Sequence, residues 1–206
     1  MLPDTTTNTQ KDLLGGFVYV SDYMGTDNAI ADIARISYNS VGTVESNCKL
    51  LNHLMKSKHY SCFEHAIIRF EVKCPLPIRT QWIRHRIGSF NELSRRYVEV
   101  ERKDFYISND YPDEFVKVTD YCFTAYKDLL QKGVRKELAR FLLPQNLFTG
   151  FSWTVNLRSL MNFINLRNSI HAQQEMRQYA YYVDLAFEEL FPITYKAFKE
   201  YGYREN

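Results

Sequence analysis

The chain has no glycine-rich phosphate cradle. Its 8 glycines form neither GxGxxG nor GxxxxGKS/T, which excludes the familiar backbone-wrapped nucleotide sites. Cys48, Cys62, Cys74 and Cys122 contain no CxxC pair, so neither a zinc site nor a redox couple is suggested. They read as free thiols of a reducing cytosol. No apolar run approaches the roughly 20 residues of a membrane span, and the N-terminal MLPDTTTNTQKD lacks the apolar stretch of a secretory signal. A cytoplasmic protein with no membrane contact is expected. A strong excess of one charge is also missing, since 26 Lys and Arg against 24 Asp and Glu leave +2. The pI of 8.3 lies below the mark of roughly 9 usual for basic nucleic-acid-binding domains.

With 206 residues, 45% of them hydrophobic, the chain is long enough for one well-packed domain. Polar, Thr-rich residues 1–14 read as a flexible N-terminal tail, and residues 15–206 as the domain. GGFVYVSDYM (15–24) predicts a strand after a glycine turn. TDNAIADIARISYN (26–39) predicts a helix capped by Thr26 or Asp27, and a second helix starts at Thr43. HAIIRFEVK (65–73) alternates, with Ala66, Ile68, Phe70 and Val72 on one side and Arg69, Glu71 and Lys73 on the other. That is a strand with one face on a core. Pro75 and Pro77 end it and open a short helix. RYVEVE (96–101) is strand-like. Helices are predicted over 112–133 and 134–144, a strand over 146–156, and helices near 157–166, 169–190 and after Pro192. No βαβ rhythm appears, so the expected class is α+β: a small mixed or antiparallel sheet flanked by several helices, with long C-terminal helices.

Lysine is absent from two long stretches. Between Lys73 and Lys103 the bases are Arg79, Arg84, Arg86, Arg95, Arg96 and Arg102; between Lys136 and Lys196 they are Arg140, Arg158, Arg167 and Arg177. Guanidinium is a rigid, permanently charged fork that matches phosphate or carboxylate. For any one of these arginines a salt bridge is explanation enough. Residues 79–96, however, hold five arginines against the single acid Glu92, so local partners are missing and an external anion is expected. On 157–166, Arg158, Asn162 and Asn165 form a polar stripe beside an apolar one, and a ligand is one source of hydrogen bonds for it.

Other candidates are weaker. Ser94 lacks a Ser-His-acid arrangement that would activate it. Cys62 beside Glu64 has nothing to lower its pKa and reads as a packed thiol. His59 and His65 have no third ligand nearby, so no metal is expected. Arg167 on its own is explained as a cation at a helix C-terminus.

Arg84, His85 and Arg86 followed after seven residues by Ser94 resemble the signature of the flavin-dependent thymidylate synthases. KHYSCFEH (58–65) is similar to that family's His-x-Ser/Thr-Pro-Phe-Glu-His element. QWIRHR and NELSRRY extend the signature to either side, and ELARFLLPQNLFTGFSWTVNLRSLMNFINLR (137–167) resembles the family's C-terminal half. Two positions depart: Cys62 stands where proline is usual, which bears on the loop carrying Ser61, and Arg95 stands where glycine is frequent. The resemblance implies a homotetramer with FAD sites at subunit interfaces. It implies methylation of dUMP to dTMP, with 5,10-methylenetetrahydrofolate as carbon donor and NADPH as reductant. It places Ser61, Arg84, His85, Arg86, Glu92, Asn156, Arg158 and Asn162 at FAD. Gln81, Arg84, Glu92, Ser94, Arg95, Arg96, Arg140 and Arg167 would bind dUMP, with Arg167 activating the pyrimidine electrostatically and no enzymatic nucleophile. His59 would lie near flavin or folate. The competing readings are a nucleic-acid-binding module, with arginines on phosphates and aromatics on bases, and a non-catalytic flavin carrier.

Overall fold

The structure, a computed structural model, describes residues 10–13, 15–108 and 110–203. Five strands, β1 (Gln10–Leu13), β2 (Gly16–Met24), β3 (Ile67–Pro75), β4 (Ser89–Glu92) and β5 (Phe148–Asn156), form one sheet in the order β1-β2-β3-β5-β4. Every pairing is antiparallel. β3 holds the middle because its alternation gives it one fully apolar face: Ile68, Phe70 and Val72 are buried while Arg69 is exposed. Its ladder with β5 runs without a break from Ile67 opposite Asn156 to Pro75 opposite Phe148. The other face carries polar cross-strand pairs. Ser152 Oγ donates to both oxygens of Glu71, at 2.7 and 2.8 Å, and Arg69 meets Asp22 at 3.5 Å.

The helices are α1 (Asp27–Arg35), α2 (Val44–Lys56), α3 (Leu76–Trp82), α4 (Asp113–Gln131), α5 (Lys136–Ala139), α6 (Leu157–Arg167), α7 (Gln174–Leu190) and α8 (Pro192–Ala197), and all but α4 and α5 contribute to the core on the apolar face. Of the two predicted caps, Thr26 is the one that starts α1, accepting from Ala29 N at 3.1 Å. Asp27 instead caps α8, its two oxygens accepting from Thr194 N at 2.9 Å and Ile193 N at 3.0 Å. Aromatic rings from three helices meet the sheet. Trp82 of α3 lies edge-on to Trp153 of β5 at 5.4 Å, and Phe163 of α6 touches both at 4.9 Å. Tyr179 of α7 stands 6.1 Å from Trp82. All four rings are fully buried, which rigidifies the ends of α3 and α6 where they approach one another. A smaller core of Val100, Phe105, Tyr126, Ala139 and Leu147 packs α4 and α5 against the segment after β4.

The structure corrects four expectations. Residues 10–13 of the predicted tail form the edge strand β1, because Leu13 finds a buried place and Tyr179 Oη donates to its carbonyl at 3.3 Å. The same hydroxyl lies where a Cβ on Gly16 would be, 2.1 Å away, so only glycine fits that turn. Residues 1–9 and 14 lie outside the described residues. RYVEVE is not a strand. The free edge of β5 is taken by β4 instead, and the chain turns at Ser94, whose carbonyl accepts from Tyr97 N and Val98 N at 3.1 Å. The helix predicted over 134–144 is a single turn, α5, followed by a 3-10 turn at Arg140–Leu142. The helix predicted from 169 starts at Gln174, because Ser169 caps a turn, its Oγ accepting from His171 N at 3.2 Å.

Candidate active site

Glu92, Ser94, Arg95 and Arg140 line one cavity of about 370 Å³. The fold brings them together from two places. β4 ends at Glu92 and delivers Ser94 and Arg95, while the turn after α5 delivers Arg140. Leu76, Leu143, Leu147 and Phe148 supply apolar walls. A mostly apolar cleft with a few converging polar groups is the ordinary make-up of a small-molecule site. The carboxylate of Glu92 is fixed from both sides: Oε2 accepts from Arg79 Nε at 2.9 Å and Oε1 from Thr149 Oγ at 2.8 Å. Neither Arg79 nor Thr149 is among the site residues that the sequence indicates. Arg79 lies in the lysine-free stretch, and that is its only signal.

The arginines divide into two sets. Arg79 pairs with Glu92, Arg95 with Asp104 at 3.2 Å, Arg96 with Glu137 at 3.4 Å, and Arg158 with Glu64. Only one of these four carboxylates, Glu92, belongs to the 79–96 stretch, so the apparent lack of partners there is partly filled from remote segments. Arg95 is a brace rather than a free donor. Its guanidinium also donates to Glu99 O at 3.3 Å and Phe148 O at 3.1 Å, and its Nε is buried without an acceptor. In the second set, Arg84 and Arg86 are exposed and have neither carboxylate nor hydrogen-bond acceptor among the described residues. Among the described residues Arg140 donates only to Glu137 O, at 3.3 Å. Arg167 has two neutral acceptors, His85 Nε2 at 3.0 Å and Gln81 O at 2.9 Å. These four cations are left uncompensated.

Arg167 stands at the last residue of α6, close to Arg84. Burial, and then the Arg84 charge, pull its pKa below the ordinary arginine value. His85 is buried while its neighbours Arg84 and Arg86 face outward. Its ring meets Phe163 edge-on at 4.8 Å. Burial, and secondarily Arg167, push its pKa down from 6.5 to about 4. In the unfolded chain His85 binds a proton below pH 6.5; in the folded chain it refuses one until about pH 4. Stability is therefore lost as pH falls through that window, by about 2 kcal/mol once solvent screening is allowed for. Urea titrations at pH 7 and 4.5 should show a smaller loss for His85→Gln than for the wild type.

Of the remaining predicted residues, Ser61, Asn156 and Arg158 fall at the other end of α6 and Asn162 lies along it, whereas Gln81 stays beside Arg167. Ser61 lies in the 3-10 turn Ser61–His65, which the Arg158–Glu64 pair ties to the start of the helix. Asn156 is the N-cap of α6, accepting from Ser159 N at 2.9 Å. Arg158 and Asn162 are exposed along the helix, whereas Asn165 donates to Gly202 O at 3.0 Å. His59 is exposed, and Gln81 Nε2 donates to Gln173 Oε1 at 2.6 Å. Cys62 is buried with its thiol toward His59 O at 3.8 Å, and burial pushes its pKa up to about 11, the state of a packed, inert thiol. Among the described residues no three His, Cys, Asp or Glu side chains gather to hold a metal ion, and no helix is long and apolar enough to cross a membrane.

Residues 19–193 match the family described as thymidylate synthase complementing protein. The chain is 42% identical over 202 residues to a flavin-dependent thymidylate synthase of Thermotoga neapolitana, covering 92% of this chain and 93% of that one. It is 36% identical over 207 residues to one of Thermus thermophilus, covering 90% and 76%. Among solved structures it is similar to a UMP/dUMP methylase, PolB, from Streptomyces cacaoi bound with 5-Br dUMP. The TM-score is 0.85 at 28% identity, over 93% of this chain and 97% of that one.

Proposed function

This chain belongs to the thymidylate synthase complementing protein family, the flavin-dependent thymidylate synthases, and on that premise we propose that it methylates dUMP to dTMP. The carbon donor is 5,10-methylenetetrahydrofolate, the reductant NADPH and the cofactor FAD. The observation that carries the reading is a group of four arginines without a carboxylate among the described residues: Arg84, Arg86 and Arg167, and Arg140 on a cavity that also holds Glu92 and Ser94. Bound anions are what such cations lack, and both dUMP and FAD are phosphorylated.

The cavity at Glu92, Ser94 and Arg140 takes dUMP, with Arg140 on its phosphate and the pinned Glu92 carboxylate accepting from the nucleotide. Arg79 and Thr149 hold Glu92 so that its orientation precedes binding. FAD fits the donors along α6. Arg84 and Arg86 are open to a pyrophosphate, and Ser61, Arg158 and Asn162 are exposed on the same helix and its adjoining turn. Bound FAD supplies the reducing chemistry. Arg167 acts on the pyrimidine: two of its five N–H groups are engaged within the chain, and the others draw negative charge toward N3 and O4, which makes carbon 5 more nucleophilic. Arginine does not deprotonate, so the effect is electrostatic.

A second copy of the chain completes the site in a homotetramer. Exposure supports this, because the FAD donors lie open on one chain and large apolar side chains lie near the site residues. Phe141, next to Arg140, is 79% exposed, and Tyr97, next to Arg96, is 71% exposed. The test is an anaerobic assay of dTMP from dUMP, methylenetetrahydrofolate and NADPH, with and without FAD. FAD-dependent dTMP is expected. A yellow protein that oxidises NADPH without making dTMP is a flavin carrier. A colourless one that binds oligonucleotides with a steep salt dependence is a nucleic-acid-binding module.

A further inference from the structure

We propose that His85 is a positioning residue, whose neutral imidazole aims the Arg167 guanidinium at the substrate without cancelling its charge. The inference rests on the proposed function and adds a role for a side chain that the resemblance places at the flavin.

Three observations carry it. Arg167 Nε–H donates to His85 Nε2 at 3.0 Å, and the same guanidinium donates to Gln81 O at 2.9 Å, so the plane of the fork is fixed at two points. Arginine has no acceptor, so Nε2 must be the bare nitrogen and the ring proton sits on Nδ1. His85 is itself immobile. It is 8% exposed and edge-on to Phe163, which is locked against Trp82 and Trp153. The acceptors are also neutral. Arg79, Arg95, Arg96 and Arg158 are each held by a carboxylate, whereas Arg167 is held by a ring nitrogen and a carbonyl. A carboxylate would bind more strongly but would place a full negative charge beside a group that has to present a positive one. A depressed histidine pKa agrees with this, since the ring stays neutral at pH 7.

The test compares His85→Phe, which keeps a ring against Phe163 but deletes the acceptor, with His85→Gln, which keeps an acceptor near the place of Nε2. A misaimed guanidinium should lower kcat for dTMP formation about 10²-fold in the Phe variant, with KM for dUMP changed by less than about 3-fold. The Gln variant should recover at least about a tenth of the wild-type rate. Nitrogen-15 spectra of the full chain should show His85 as the Nδ1–H tautomer at pH 7, with the Nε2 shift moving in Arg167→Ala. The inference is overturned by wild-type-like kcat in His85→Phe, by His85→Gln being no better than a folded His85→Phe, or by an Nε2–H or doubly protonated ring. Should the Phe variant not fold, the Gln variant and the nitrogen shifts decide. Should the wild type make no dTMP, the proposed function fails, and the nitrogen shifts still decide whether His85 holds Arg167.

Discussion

Arg167→Ala should lower dTMP formation by about 10³-fold, the usual size of losing one preorganised charge aimed at a developing anion. The loss should fall on kcat rather than on dUMP affinity. The cavity of Glu92, Ser94 and Arg140, with Arg79 and Thr149 holding Glu92, does not include Arg167 and is untouched by the change. The fold should also survive. Arg167 makes no ion pair among the described residues, and α6 is held by Leu160, Phe163 and Ile164, all fully buried. Single-turnover kinetics with saturating dUMP, together with calorimetric dUMP binding, separates the two effects. Near-normal turnover removes Arg167 from the chemistry and leaves it the role of a cation at a helix end. Loss of dUMP binding with it makes Arg167 an affinity residue.

The double change Arg84→Ala and Arg86→Ala should strip the flavin. Each guanidinium contact to a phosphate oxygen is worth about 1.5–3 kcal/mol, so losing both should weaken FAD by about 10²-fold or more and yield a colourless preparation. Both side chains are exposed and make no hydrogen bond or ion pair among the described residues, so the melting temperature of the flavin-free protein should change little. Fluorescence titration with FAD and a melting curve check this. Retained yellow colour would move the flavin away from these residues.

The parts of this molecule that are legible in the sequence are those governed by local period and residue chemistry. β3 shows its two faces in the alternation of Ile68, Phe70 and Val72 with Arg69, and the lysine-free stretches contain every arginine of the candidate site. What local patterns do not carry is the choice of partner across space. RYVEVE alternates as a strand should, but the neighbouring edge belongs to Ser89–Glu92. Five arginines beside one acid suggest five free cations, yet Asp104 and Glu137 reach two of them from later segments. Nothing in Arg-His-Arg indicates that the middle residue turns inward while the outer two face solvent. That follows only from the position of Phe163, 78 residues further along the chain.

The ladder between β3 and β5 has a consequence for how the protein comes into being. Its two strands are separated by most of the middle of the chain, so the sheet acquires its centre only when residue 156 is available. Closing so long a loop costs entropy before any contact offsets it, and chains of this topology fold slowly. His85 precedes that closure and Arg167 follows it. A nascent polypeptide at the ribosome thus carries β3 with an unsatisfied edge and no reactive centre until β5 and α6 have been synthesised.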